Sequence, residues 1–370
     1  MKRKLLAILL VAMLVVSCLS LISCKSDNIK EKVNGYFTLT KQDGQDFKIL
    51  QLTDIHMASD TKTIKIDNEK FYVNDVILNS IDKLVKATNP DLIVLTGDMA
   101  YPLAFQSGSD DNLAMLKRLL THIETYKIPY APVFGNHDEE NTSLYTKADL
   151  CDYLESDELK YCLFERGYCD DKNSMGNYVI NIVNKKGQLV QSLFLIDSNS
   201  YISQNTVGAG DYDYIHEGQI KWYEEEVANL KTLTQLDGVT TPSSLAFFHI
   251  PLQEYLQAWN ANEAGTNDAT SNWEDSYSNL GETPCSSPVN SGFFNKALEL
   301  GSTKGMFCGH DHINHFSIKY KGIDLTYGLS MDYYVYMSIT NQTEQRGGTL
   351  TSIKDDGSYK IDPIRLSELD

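Results

Sequence analysis

Apolar, β-branched runs alternate with amphipathic stretches along most of this chain. The short runs predict strands over 47–53, 92–96, 130–134, 178–183, 189–196, 245–248 and 304–308. Between them, helical periodicity predicts helices over 71–88, 111–126, 218–230 and 293–300. In the first of these, apolar side chains recur at 73, 76, 77, 81, 84 and 85, and Asn89-Pro90 ends the pattern. Beyond residue 313 only strand patterns remain, over 315–320, 323–327, 348–354 and 358–361. Alternating strands and helices followed by a strand-rich tail predict a layered α/β fold with two sheets and outer helices. Two long polar stretches, 198–217 and 260–291, interrupt the alternation. Loops of such length tend to serve function, and the second is expected to border a substrate pocket. No repeat and no linker divides residues 36–370, which read as a single domain.

The first residues follow a different pattern. Lys2, Arg3 and Lys4 precede an uncharged run, 5–23, long enough to span a bilayer as a helix. The run closes on Leu21-Ile22-Ser23-Cys24 and then turns polar at Lys25-Ser26-Asp27-Asn28. This resembles a bacterial lipobox, which would make 1–23 a signal peptide, Cys24 the lipidated N-terminus and 24–35 a tether. Val15-Val16-Ser17-Cys18 is a second match, but apolar residues follow it. A plain cleaved signal and an uncleaved anchor remain alternatives. All three readings put the remainder outside the cytoplasm, and the lipobox puts it in a bacterial cell envelope.

Composition narrows the classes further. The chain has 370 residues, 42 % hydrophobic and 22 % charged, which excludes wholesale disorder and a multi-span membrane protein. Its formal net charge is −18. Loss of residues 1–23 would remove three cations and no acids, leaving −21. No basic track follows residue 4, so a nucleic-acid partner is not expected. An anionic substrate would need a local cation, such as a metal. Five cysteines remain after Cys24, at 151, 162, 169, 285 and 308. That odd, scattered set is no disulfide framework, although a bridge among Cys151, Cys162 and Cys169 stays open.

Five of the predicted strands run into metal-competent residues: Asp54 and His56; Gly97-Asp98; Gly135-Asn136-His137-Asp138; His249; and Gly309-His310-Asp311-His312. In open α/β sheets ligands bind beyond the carboxyl ends of strands, so five such ends can converge. Asp54/His56 and His310/His312 are i, i+2 pairs, which share a face in extended backbone. The glycines at 97, 135 and 309 allow close backbone approach. Carboxylate, amide oxygen and imidazole together suit Mn, Fe or Zn better than Ca.

This ordered set is similar to that of the calcineurin-like metallophosphoesterases. Gly97-Asp98-Met99-Ala100-Tyr101, residues 247–255 and residues 289–294 look like the purple acid phosphatase-like and yeast Dcr2-type branch. The resemblance implies a four-layer α-β-β-α sandwich of two mixed sheets flanked by helices, with a dinuclear site at strand C-terminal ends. It further implies two divalent or trivalent ions. One would be held by Asp54, His56, Asp98 and His312, the other by Asp98, Asn136, His249 and His310. His137 would protonate the leaving oxygen, Asp138 would orient His137, and a metal-bridging hydroxide would attack phosphorus in line. The expected function is hydrolysis of a phosphorylated small molecule, a phosphomonoester before a diester, by a membrane-anchored monomer. The alternative is a non-catalytic lipoprotein that binds phosphate or a phosphorylated glycan. Purple enzymes have Gly where His56 stands, so Tyr101 is expected to be a packed wall rather than an iron ligand. His122 is expected at the surface, His315 in a packing role, and Asp311 pointing away from the metals. His216 is expected to be a loop residue, and Asp197 either to border the site or to cap a turn.

Overall fold

The computed structural model describes residues 29–170, 172–202, 211–234 and 241–369. The expected signal peptide and Cys24 lie outside the described residues.

In chain order the elements begin with β1 (Lys32–Val33), β2 (Tyr36–Thr40), β3 (Phe47–Leu52), β4 (Thr63–Ile66), β5 (Glu69–Tyr72) and α1 (Val73–Thr88). Next come β6 (Leu92–Thr96), α2 (Ala104–Ser107), α3 (Asn112–Glu124), β7 (Tyr130–Val133), α4 (Lys147–Leu154), β8 (Tyr178–Val183) and β9 (Leu189–Leu195). Then follow α5 (Glu217–Thr234), β10 (Ser244–Phe247), α6 (Glu254–Glu263), β11 (Ala269–Ser271), β12 (Asn279–Leu280) and α7 (Phe293–Leu300). The last strands are β13 (Thr303–Cys308), β14 (Asn314–Tyr320), β15 (Ile323–Tyr327), β16 (Gly347–Ile353) and β17 (Tyr359–Arg365).

All strands but β4 and β5, which pair only with each other, form two mixed sheets. The larger runs β1-β2-β8-β9-β10-β13-β15-β14-β11, with β12 also paired to β14. The smaller runs β17-β16-β3-β6-β7. Parallel runs occupy the middle of the larger sheet, β9, β10, β13 and β15, and one side of the smaller, β3, β6 and the edge strand β7.

Side-chain alternation shows how the layers meet. On β10, Leu245 and Phe247 join one core cluster, together with β3, β6 and helices α1 and α3. Ala246 and the next residue, Phe248, join a second cluster with α5, α6 and α7. The larger sheet is thus buried on both faces, as its continuous apolar runs require. Phe247 and Phe307 stack across neighbouring parallel strands with ring centroids 4.7 Å apart.

Several elements escaped the sequence reading. Residues 71 and 72, expected as the start of a helix, instead belong to the second strand of the β4–β5 hairpin, and α1 begins only at Val73. Helix α4 starts with a capping box in which Thr146 and Asp149 satisfy each other's backbone donors. The polar stretch 260–291 contains the end of α6 and two short strands. Within the stretch expected as a tether, Lys32 and Val33 already pair with Phe37 and Tyr36.

Candidate metal centre

The ends of β3, β6 and β7 in one sheet and of β10 and β13 in the other face a common point. Backbone bonds lock the loops together: His56 N donates to Asp98 O, Gly309 N to His249 O and Met331 N to Thr53 O. Two glycines make the approach feasible. A Cβ on Gly135 would stand 2.2 Å from Asp98 Oδ1, and one on Gly309 would stand 1.8 Å from Thr53 Oγ1. Asp54, His56, Asp98 and His310 all adopt positive φ, between 52° and 84°. Non-glycine residues rarely do so, and such strain concentrates where side chains must be aimed.

Asp54, His56, Asp98 and His312 form one buried group, and Asp98, His249 and His310 another, with donor atoms in each within 4.8 Å of one another. Asp98 belongs to both. His56 Nε2 and His312 Nε2 face each other at 3.0 Å. His249 Nε2 lies 3.1 Å from Asp98 Oδ2 and 3.3 Å from His310 Nδ1. Asn136 is fully buried beside this second group, its Nδ2 donating to the Tyr201 hydroxyl.

Cations fit this arrangement. Asp54 Oδ2, Asn136 Oδ1 and His310 Nε2 are buried without a hydrogen-bond partner. Unpaired buried oxygens and imidazole nitrogens are costly unless a cation takes their lone pairs. In two histidines the nitrogen that faces the cluster is selected by the contact of the other one. His249 Nδ1 lies 2.8 Å from Thr96 O and His312 Nδ1 lies 2.8 Å from Asp332 Oδ2, which leaves each Nε2 facing the cluster.

Electrostatics divides the imidazoles. Burial and the neighbouring His312 hold His56 well below the ordinary range, and burial and His249 do the same to His310, so both present neutral lone pairs. Burial also opposes charge on His249 and His312. Asp98 outweighs it at His249 and Asp332 at His312, pushing each to about 9. Asp98 is held well below the carboxylate range because His249 and His137 overcome its burial.

One assigned role needs correction. Asp138 does not orient His137. Its carboxylate accepts from the backbone N–H groups of Gly135 (2.8 Å), Ala100 (3.0 Å) and Asp98 (3.1 Å), so it shapes the two ligand loops. The partner of His137 is Glu140, whose Oε1 lies 2.5 Å from His137 Nδ1 and also accepts from the Tyr201 hydroxyl. Glu140 and Asp332 went unnoticed in the sequence. The spacing of three from His137 to Glu140 was a usable signal; Asp332 offered none.

The remaining candidates separate clearly. Tyr101 sets its ring edge against His56 and His137 and turns its hydroxyl to Gln106, as a wall does. Tyr212 packs on His310 and Tyr336 stacks on His312, so the 198–217 stretch and the 332–336 turn frame the centre. Asp311 turns away to the Tyr327 hydroxyl and Cys285 N. His216 is held by Asp170 and Asp213, and Asp197 by Lys147. His122 pairs with Asp82 on the helical face. The five cysteines at 151, 162, 169, 285 and 308 are all free.

An α/β fold with a buried imidazole–carboxylate cluster at its strand ends has the build of a metal-dependent phosphoesterase. The chain belongs to the calcineurin-like phosphoesterase family, whose model matches residues 47–314. It is 29 % identical over 305 residues to "Probable inactive purple acid phosphatase 14" of Arabidopsis thaliana, covering 78 % of this chain and 71 % of that one. It is 30 % identical to "Phosphatase DCR2" of Saccharomyces cerevisiae, over 77 % of this chain but only 47 % of the yeast protein. A dimetal phosphatase from Danio rerio shares the fold with a TM-score of 0.55 at 11 % identity, covering 88 % of this chain and 98 % of that one.

Proposed function

We propose that this chain hydrolyses phosphate esters at a dinuclear metal centre, with small phosphomonoesters as its first class of substrate. The observation that carries the reading is the convergence of six buried imidazoles and carboxylates into two groups joined at Asp98. In this reading Asp54, His56, Asp98 and His312 hold one ion, and Asp98, Asn136, His249 and His310 hold the other. A pair of such ions supplies Lewis acidity toward a phosphoryl group and a nucleophile at neutral pH. The protein residues do the rest. Asp138 fixes the loops of Asp98 and Asn136 through backbone amides. Glu140 takes the Nδ1 side of His137, which leaves Nε2 to give a proton to the departing oxygen. Tyr101 and Tyr336 wall the centre beside His56 and His312. The metals are expected to be Mn, Fe or Zn, from the mixed oxygen and imidazole donors.

We also place the mature chain outside the cytoplasm in a bacterial cell envelope, in the periplasm or at the outer surface, held by lipid on Cys24. The support is the charged start, the uncharged run and the Leu21-Ile22-Ser23-Cys24 junction. Cys24→Ala is expected to move the protein from the membrane to the soluble fraction; continued anchoring would overturn the lipid.

The test of hydrolysis compares an aryl phosphate monoester and a bis-aryl diester, with added Mn, between the wild type and His137→Ala. The reading expects monoester turnover in the wild type that falls by about 10²-fold or more in the variant. Tight phosphate binding without turnover would support a non-catalytic phosphate-binding protein instead.

A further inference from the structure

The 198–217 stretch lays two tyrosines along one side of the centre. Tyr201 and Tyr212 form an antiparallel bridge, fastened by Ile202 N donating to Asp211 O and Asp213 N donating to Ser200 O. Their rings stack with centroids 5.6 Å apart, and the Tyr212 ring meets the His310 imidazole edge to face at 4.3 Å. The Tyr201 hydroxyl accepts from Asn136 Nδ2 at 2.9 Å and donates to Glu140 Oε1 at 3.2 Å. Asn136 and His310 both belong to the ion assigned to Asp98, Asn136, His249 and His310, so the two tyrosines serve that half of the centre.

We propose that Tyr201 is a positioning residue for this second ion: its hydroxyl decides which end of the Asn136 amide faces the other donors. The inference rests on the dinuclear reading above. The direction of the hydrogen bonds carries it. Glu140 Oε1 faces both the Tyr201 hydroxyl and His137 Nδ1, the latter at 2.5 Å, and a carboxylate oxygen accepts from both. The single hydroxyl hydrogen of Tyr201 goes to Glu140, which leaves the tyrosine oxygen able only to accept. Only the Nδ2 end of an amide can meet that demand. Oxygen and nitrogen of an amide are alike in shape, so such a network is what distinguishes the two orientations.

The Oδ1 end of Asn136 is thereby turned away from Tyr201, and it is the end that is buried with no hydrogen-bond partner. A buried lone pair of this kind suits a cation. A reversed amide would offer the ion N–H groups and set its oxygen against the lone pairs of the tyrosine. His137, Glu140, Tyr201 and Asn136 therefore form one chain. A single carboxylate serves both the imidazole beside the leaving oxygen and, through Tyr201, the amide beside the ion.

The test uses the full chain, stripped of metal and titrated with Mn. The wild type is expected to bind two ions and to show the spin-coupled signal of a Mn pair in electron paramagnetic resonance. Tyr201→Phe keeps the ring that stacks on Tyr212. It should weaken the second ion by about ten- to a hundredfold, as loss of a ligand's outer hydrogen-bond partner does. The first ion should bind as in the wild type, and the spectrum at limiting Mn should become that of isolated ions. Retention of the first ion reports an intact fold in the same sample. Asn136→Asp removes the question of orientation, because either carboxylate oxygen can face the ion. In that background Tyr201→Phe should cost less than about threefold, which a double-mutant cycle measures. Equal losses in the two backgrounds would overturn the orienting role. So would a Tyr201→Phe protein that holds both ions with wild-type affinity, and either result leaves the dinuclear reading standing. A wild type that binds one ion or none would overturn that reading and this inference with it.

Discussion

Glu140 Oε1 lies 2.5 Å from His137 Nδ1 and is itself almost wholly buried. The pair fixes the imidazole from behind, three residues along the same loop. Glu140→Gln keeps the size of the side chain but replaces a charged acceptor with a neutral amide. We expect kcat to fall by about ten- to a hundredfold with KM changed little, because the role lies in aiming the ring. Steady-state kinetics on an aryl phosphate checks this; a rise in KM at constant kcat would assign Glu140 to substrate binding.

Asp98 is shared by both donor groups. Asp98→Ala should therefore cost the protein both ions together. Elemental analysis of the purified variant is the measurement, and two metals per chain would refute the shared role.

Gly135 has no space for a side chain, since Asp98 N would lie 2.3 Å from an added Cβ. Gly135→Ala should cost about 1–3 kcal/mol through overpacking and displace the Asp98 carboxylate. Denaturant unfolding and metal content should drop in parallel. A variant of unchanged stability and full loading would show that the loop can yield.

His315 gives a pH prediction of definite sign. Burial, reinforced by Arg365, lowers its pKa to about 4 from the ordinary 6.5. Below pH 6.5 the unfolded chain takes up a proton that the folded chain refuses. Stability from this group is therefore full at neutral pH, declines as pH falls, and is lost by about pH 4. The total is about 3 kcal/mol. Urea midpoints at pH 7.5 and 4.5, in phosphate-free buffer, should fall less in His315→Gln than in the wild type. Equal falls would show that His315 titrates normally.

The sequence disclosed the central strands because they are buried on both faces and must be almost continuously apolar, as 92–96 and 245–248 are. It drew attention to the seven candidate ligands because each follows a predicted strand, and the structure brings six of them into two buried groups. Edge elements were less legible. The strand Tyr36–Thr40 is mostly half-buried, and the hairpin strand Glu69–Tyr72 is exposed throughout, so neither needs a distinctive pattern. The partners of the candidate ligands were harder still. Asp332 reaches His312 from twenty residues away, and Asp138 looks like a partner of His137 only until its three backbone bonds are seen. Those relationships belong to tertiary packing, which local spacing does not encode.

Each group of donors takes side chains from both sheets: Asp54, His56, Asp98 and Asn136 from the smaller, His249, His310 and His312 from the larger. An ion seated there would be a rivet through the seam where two halves of the molecule press together. Neither half alone supplies a full donor set, so coordination is complete only once the halves have closed. Stripping it out would loosen that seam and the packing between the layers, well beyond the loops that touch the ion.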